Sequence, residues 1–558
     1  MHIHDIVIIG GGISGLFLAY NLIQSNKHDD ILLVESSSEL GGRIRTERID
    51  NYPIEMGGAR FSDKHVHLLS LLQELGLQDK MVQLPKEITY IHRDKKINYD
   101  IDKQLHKLID QKKKYKKDHL EKITLFQYAV EIIGQEETKK LQEMFGYDAE
   151  FLKLNAYSAL TMFQKDLLDS ETNYYVLQDG LSEVIQQLQN VCTESGKVKI
   201  QTGVFVKDLQ DKKIKAEVDG KEKTLRGMKI ISTMPYLEVR KMDIFKEFEF
   251  LHCVKPIPLI RIYAQYPVDK KTGKVWFHGL NRTITDNMIR HIIPIDYEKG
   301  IIMISYTDFY LAEMWNNWNQ LGEEVLTERL HTEIHKLFKI KPPKPTQYKV
   351  YYWRGGVHMW RTKYPMDETY SKLLKPFSEK EIYLSNESFS KHQCWIEGSL
   401  LMARDVLKKM GIKLSEVKPK KLTQSKKNVS KKGGGDKKDK KDKKDKKDKK
   451  SKQEYKQYTL EQVLRHRPKN WIIFEHGGKK WVYKISKKWF QQHPGGESYL
   501  KQGVEANSYY DKINSKGQTK SPTELFKGIG SHGSSGVFKK YILEESHRDI
   551  IKKVGLLK

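Results

Sequence analysis

The chain opens on Asp5-Ile6-Val7-Ile8-Ile9, an apolar run without polar alternation, which predicts a parallel strand buried on both faces. Three glycines follow, and Leu16-Phe17-Leu18-Ala19-Tyr20-Asn21-Leu22-Ile23 then reads as a helix. Ile31-Leu32-Leu33-Val34 predicts a second strand, ended by Glu35, which completes a βαβ unit. From about 95 to 170 the text is charged and helical, with Leu105 and Leu108 spaced to share one face and Lys112 to Lys117 read as solvated surface. Strand patterns return at Val198-Lys199-Ile200, Val204-Phe205-Val206 and Ile230-Ile231-Ser232-Thr233. A mixed region from about 246 to 380 shows no single period, after which Glu381 to Leu384 predicts a strand and Trp395 to Met410 a helix. Lys418 to Lys452 has almost nothing to bury and contains Asp-Lys-Lys five times, so it predicts a disordered linker. Strand-like text resumes at Trp471-Ile472-Ile473-Phe474 and Trp481-Val482-Tyr483-Lys484-Ile485, inside a compact segment of about 455–545 that a basic tail follows.

Composition sharpens this picture in two places. The linker carries 18 Lys against 5 Asp, a surplus of 13 out of the chain's +27. The remaining surplus is spread over the rest of the 558 residues and gives no argument for a nucleic-acid groove. Only Cys192, Cys253 and Cys394 occur, with no metal-site spacing and no disulfide framework, which points to a reducing compartment. No apolar run approaches the ~18 residues of a membrane span, and the first strand begins too early for a signal peptide. A soluble, cytoplasmic protein is expected, with packaging in a virion as the alternative that a Lys/Asn/Ile bias leaves open.

The glycines after the first strand carry chemistry. Gly10 suits a tight turn, Gly12 lets backbone approach a pyrophosphate, and Gly15 lets the helix pack against the strand. With Ser14 they put a helix N-terminus toward the phosphates, and Glu35 is placed for the adenosine ribose. A glycine-rich turn without a ligand is the competing reading. Glu39-Leu40-Gly41-Gly42-Arg43, Glu55-Met56-Gly57-Gly58-Ala59-Arg60-Phe61, Gln178-Asp179-Gly180-Leu181, Ile231-Ser232-Thr233-Met234-Pro235, Ser385-Asn386-Glu387-Ser388 and Cys394-Trp395-Ile396-Glu397-Gly398-Ser399 follow in order. Over roughly residues 4 to 410 this ordered set resembles the flavin-containing amine oxidase superfamily. The resemblance implies an α/β FAD-binding Rossmann-like domain with an interleaved α+β substrate domain. It divides 1–412 into an FAD part (about 1–90, 195–245 and 380–412) and a substrate part (about 91–194 and 246–379).

The same resemblance implies site residues. Gly42 and Arg43 would hold the pyrophosphate, Gly58, Ala59 and Arg60 would line the isoalloxazine, Val204 would lie near the adenine, and Glu387 and Glu397 would stand by the ribityl chain and the flavin edge. No Cys occupies the covalent attachment position, where the text is Gly355-Gly356-Val357-His358-Met359, so FAD is expected to bind non-covalently. Arg261 stands where many members keep a lysine near flavin N5, and an arginine cannot release its proton near neutral pH. Trp395 aligns with one wall of an aromatic cage that orients a neutral amine, with Trp353 or Trp360 as the facing wall. The competing reading makes these tryptophans core.

At the far end, Tyr458 to Val463, the two Trp-led strands and His493-Pro494-Gly495-Gly496 resemble a small α+β cytochrome b5-like domain. The resemblance implies haem b with His493 and His532 as axial ligands. Those histidines are 39 residues apart, longer than usual, with an insertion at about 511–523. Tyr541-Ile542-Leu543 is the expected closing strand, 413–454 the linker and 546–558 the tail; a relative lacking the second ligand is the alternative. The linker is read as a spacer of roughly 30–36 Å reach, or as a docking site for an acidic partner. Together these imply hydride transfer from an amine to flavin and then single electrons to haem, with oxygen or a redox protein as acceptor. A desaturase or oxidase of a lipid or isoprenoid substrate, or an inactive binding protein, are the alternatives.

Overall fold

The computed structural model describes residues 2–166, 172–414, 457–458, 471–476, 479–485 and 551–557. They fall into two units, 1–428 and 429–558.

In the first unit, strand His4–Ile9, helix Ile13–Ser25 and strand Ile31–Val34 form the expected βαβ start. The absence of alternation has a direct cause. Ile6, Ile8, Ile31 and Leu33 pack with Leu16 and Leu22 of the helix, whereas Val7, Ile9, Leu32 and Val34 enter a second core on the other face. The sheet runs Val198–Gln201, Ile31–Val34, His4–Ile9, Lys221–Ser232, Lys213–Val218, Val204–Gln210. Ile382–Leu384 adds in parallel to the end of Lys221–Ser232. Pairings among the first four strands are parallel and the last three form an antiparallel meander. Helix Ser182–Glu194 puts Val184, Ile185 and Leu188 into the core shared with the first helix, so it joins the nucleotide side rather than the substrate part expected to end at 194.

The region without a clear period is a second, seven-stranded sheet in the order Gln347–Trp360, Val254–Gln265, Ile301–Asp308, His291–Asp296, Arg282–Thr285, Ile88–His92, Lys95–Ile97. Its second strand, Val254–Gln265, is buried from Ile257 to Ala264, because helices Phe309–Gln320 and Glu323–Phe338 supply Trp315, Leu326, Leu330 and Ile334 to one face. Helices between Ile101 and Asp166 close one end, with Leu105 and Leu108 buried as their spacing predicts. A three-stranded sheet of Phe61–Ser62, Tyr174–Leu177 and Met81–Gln83 ties loop 55–61 to this region.

In the second unit the strands run Gln457–Tyr458, Ile551–Leu557, Lys479–Ile485, Trp471–His476. The two expected Trp-led strands pair antiparallel. Ile551–Leu557 is a strand paired with Lys479–Ile485 where a tail was expected. Tyr541 to Leu543, His493, His532 and nearly all of the linker lie outside the described residues. Among the described residues, no helix is long and apolar enough to cross a membrane.

Candidate functional site

The glycine turn is built for close backbone approach. Gly10 has φ +109°, and a Cβ there would stand 2.4 Å from Thr233 Oγ1. A Cβ on Gly15 would stand 2.0 Å from the Gly10 carbonyl oxygen, so any side chain would lever the helix off the strand. The helix starts at Gly12 without a side-chain cap and without an acid in its first turn. Its positive end is therefore left for an external anion. Around Gly12 the nearest atom to an added Cβ is the Gly41 oxygen at 3.8 Å, room that suits a phosphate. Ser14 Oγ donates to the Ser385 carbonyl at 3.0 Å, which leaves only its backbone to face a phosphate. One Glu35 oxygen accepts the Gly11 N–H at 2.7 Å and the other the Ser37 N–H at 2.9 Å. The buried Val204 donates its N–H to the Glu35 carbonyl, which brings both residues to one edge, as an adenosine end requires.

Arg43 is fixed by three acceptors: Glu387 Oε2 at 2.6 Å, the Gly356 carbonyl at 3.0 Å and Asn386 Oδ1 at 3.2 Å. Glu387 also accepts from His358 Nδ1 at 3.0 Å and from the Cys394 N–H at 2.8 Å. Burial alone would raise this carboxyl, but the Arg43 charge and then His358 overcome it and hold it at about 2. Burial depresses His358, so the imidazole is neutral. The loop carrying Gly58, Ala59 and Arg60 is locked to the Arg43 turn, since the Gly58 N–H donates to the Arg43 carbonyl at 2.8 Å and a Gly57 Cβ would meet that oxygen at 2.0 Å. Gly42 adopts φ +58° beside Gly12.

Four expected residues take other tasks. Both Glu397 oxygens accept backbone N–H groups, from His67 and Leu68 at 2.9 Å, so this acid caps helix Val66–Glu74, which has no cap of its own. Trp360 is buried in the core with its indole N–H on the Ser390 carbonyl at 2.9 Å, and Trp353 donates to the Met56 carbonyl at 2.8 Å. The ring facing Trp395 is Tyr174 instead, at 6.2 Å and 15° between planes, with His65 edge-on at 4.8 Å. Arg60, expected along the cofactor, stacks its guanidinium 4.8 Å from the Tyr174 ring and 5.9 Å from Trp395, on the substrate side.

Arg261 donates to the Glu55 carbonyl at 2.8 Å and lies 4.6 Å over the Tyr306 ring. Burial opposes its charge, but the surrounding Tyr306 and Tyr263 raise its proton affinity further, so it is a fixed donor and never a base. Around it stand Tyr147, 5.4 Å from Tyr306 and 4.8 Å from His291, and the half-buried Arg282. Arg290 pairs with Asp148 through both oxygens at 3.0 and 3.1 Å. Burial, then the Asp148 charge, pushes Asp308 up to about 7; burial, then the Asp308 charge, pushes Glu150 up to about 8. Sequence reasoning missed Tyr174 and Arg282. Tyr174 follows the helical stretch without a motif, and the one signal for Arg282 is a charge heading the strand Arg282-Thr283-Ile284-Thr285.

A stretch of 76 residues is 42% identical to coproporphyrinogen III oxidase of Mycobacterium tuberculosis, covering 13% of this chain and 17% of that one. Flavin-containing amine oxidase A of Canis lupus familiaris is 36% identical over 102 residues, 16% of this chain and 19% of that one. The chain thus spans about a fifth of the length of the curated relatives it matches. A solved structure assigned as a protoporphyrinogen oxidase, from Exiguobacterium sp. 255-15, is 15% identical with a TM-score of 0.57, covering 74% of this chain and 99% of that one. A redesigned putrescine oxidase gives the same TM-score over 73% of this chain and 99% of its own. The family model described as flavin containing amine oxidoreductase matches residues 13–406, and the chain therefore belongs to that family.

Proposed function

We propose that this enzyme removes a hydride from a carbon beside an amine nitrogen and delivers the electrons to a haem held by residues 455–545. The observation that carries the amine reading is the near-parallel pair Trp395 and Tyr174. At this spacing the two rings pack on one another and present one flat aromatic wall, bordered by Arg60, against which a small neutral amine is oriented, whereas an apolar lipid tunnel would lack it. FAD, when bound, supplies the two-electron acceptor. The uncapped helix starts at Gly12 and Trp395 supply positive ends toward an anionic cofactor, and Arg43, pinned by Glu387, supplies a fixed charge between them. Arg261 orients through hydrogen bonds and takes no proton, so the amine must enter already neutral. The haem reading rests on His493-Pro494-Gly495-Gly496, His532 and the two Trp-led strands. A second reading, oxidation of a porphyrinogen, draws on the short matches to coproporphyrinogen III oxidases.

Visible spectroscopy of purified protein, under anaerobic addition of an amine panel, tests this. Flavin bleaching followed by haem reduction is the expected result, and H493A and H532A should each remove the haem band while the flavin band stays. A flavin that bleaches beside a permanently oxidised haem would overturn the coupling. Bleaching by coproporphyrinogen III and by no amine would transfer the assignment to the second reading. The Lys-rich linker is proposed to dock an acidic partner, a salt-sensitive interaction that deletion of 418–452 should abolish.

A further inference from the structure

Two short stretches near the start of the chain, His2-Ile3-His4-Asp5 and His28-Asp29-Asp30, concentrate metal-ligating residue types that the glycine turn does not use. Parallel pairing of Ile6 with Ile31 brings the two stretches to one edge of the first sheet. The Asp5 and Ile6 N–H groups both donate to the Asp30 carbonyl, at 3.0 and 3.4 Å, which fixes Asp30 beside the first strand. The His2 and His4 rings meet edge-on, with 4.6 Å between centroids. Both converge on one carboxylate: His2 Nε2 lies 2.6 Å from Asp30 Oδ2, and His4 Nδ1 lies 2.7 Å from Oδ1.

The neighbouring cations are engaged elsewhere. Lys197 pairs with Asp29 at 2.8 Å, and Lys27 donates to the Gly411 carbonyl at 2.9 Å. Among the described residues, no lysine or arginine pairs with Asp30, so its carboxylate faces imidazoles alone. Two imidazole nitrogens and one carboxylate are a donor set for first-row transition metals. Around a tetrahedral ion with bonds of about 2.0–2.1 Å, donor atoms stand roughly 3.3–3.4 Å apart. The separations here bracket that spacing, from 2.6 Å up to a limit of 4.8 Å among the three ligating atoms. The exposed His2 side chain leaves one side open for the ion and for water to complete its shell. A second cluster, His92 with Glu143 and Asp286, is built differently. It offers a single imidazole, 4.0 Å from Asp286, whose Oδ2 already accepts the Arg93 N–H at 2.9 Å.

We propose that His2, His4 and Asp30 bind a divalent transition-metal ion of the zinc class, which ties the segment ahead of the first strand to the entry of the second. The strand His4–Ile9 separates this cluster from the Gly10 turn by about 20 Å. The ion therefore acts as a staple of the fold and takes no part in the redox step.

Titration of the full, untagged chain with zinc in competition with a chromophoric chelator, near neutral pH, tests the site. H2A and D30N should each lower the count of tight zinc equivalents by one. Each should weaken the site at least about 10- to 100-fold, since losing even an outer partner of a metal ligand costs that much. His2 is 69% exposed, so H2A leaves the core intact. Nickel should compete for the same site, whereas magnesium and calcium, which prefer oxygen donors, should not. H92A should leave the zinc equivalents unchanged, and flavin absorbance should be the same in all three variants. Hydrogen exchange adds a local readout: zinc should slow the Asp5 and Ile6 amides in wild type and not in H2A. Equal zinc binding by wild type and H2A, or a loss in H92A in place of H2A, would overturn the site. Unchanged exchange at Asp5 and Ile6 in zinc-loaded wild type would overturn the staple.

Discussion

Replacing Glu387 with Gln keeps the shape of the side chain and removes its charge. An amide offers one acceptor oxygen, whereas Arg43, His358 and the Cys394 N–H all donate to this group. The carboxyl is held at about 2 against an ordinary 4.5. At about 1.36 kcal/mol per pKa unit, that difference contributes on the order of 3 kcal/mol of stability at neutral pH. Breaking one partner of a buried pair gives a similar figure, roughly 3–5 kcal/mol. Because the folded value is depressed, the contribution is complete above the unfolded value of about 4.5 and is lost as pH falls toward about 2. With roughly 2.1 cal/mol/K of unfolding entropy per residue, E387Q should lower the midpoint of the larger unit by about 3–4 °C at pH 7. Differential scanning calorimetry of wild type and E387Q at pH 7, 5, 4 and 3 reads this directly, and the gap should narrow below pH 5. A gap of constant size from pH 7 to pH 3 would refute the assignment of that stability to the charge. E387Q should also loosen Arg43 and lower flavin content, measured as the ratio of visible to ultraviolet absorbance.

Three further outcomes follow from individual contacts. G15A places a methyl 2.0 Å from the Gly10 oxygen, so the purified variant should lose most of its flavin absorbance and about 1–3 kcal/mol of stability by urea titration. D148N leaves Arg290 buried without a counter-ion, and should cost about 3–5 kcal/mol in the same titration, with flavin content unchanged in the protein that remains folded. W360F removes the indole donor to Ser390, so it should lower stability by about 1–3 kcal/mol without altering KM, whereas W395F should alter kcat/KM with little change in stability.

The nucleotide side was legible because its constraints are local. Ile6 to Ile9 are apolar at every position since alternate residues enter two cores, and Gly15 answers the Gly10 carbonyl within one turn. The helix from Trp395 onward begins within a residue of its expected start for the same reason. What remained hidden depends on partners distant in sequence. Glu387 and Glu397 look alike in text, yet one meets Arg43 and the other meets the backbone of His67 and Leu68, 330 and 329 residues away. Trp353, Trp360 and Trp395 carry the same indole, and only the fold decides which of them bonds a distant carbonyl and which stacks on Tyr174. The strand Val254–Gln265 gave no period because helices cover one of its faces and no solvent marks a side.

Charge separates the two halves of this site in a way that composition conceals. On the cofactor side each cation has its acid close by, Arg43 with Glu387, so that region can receive an anionic nucleotide chiefly through helix ends and backbone. On the substrate side burial pushes Asp308 to about 7 and Glu150 to about 8, so these acids are partly or mainly protonated near neutral pH. They cannot cancel arginines that keep their protons throughout that range. The imbalance is therefore intrinsic to the folded chain, and it grows as pH falls and the two acids take up protons.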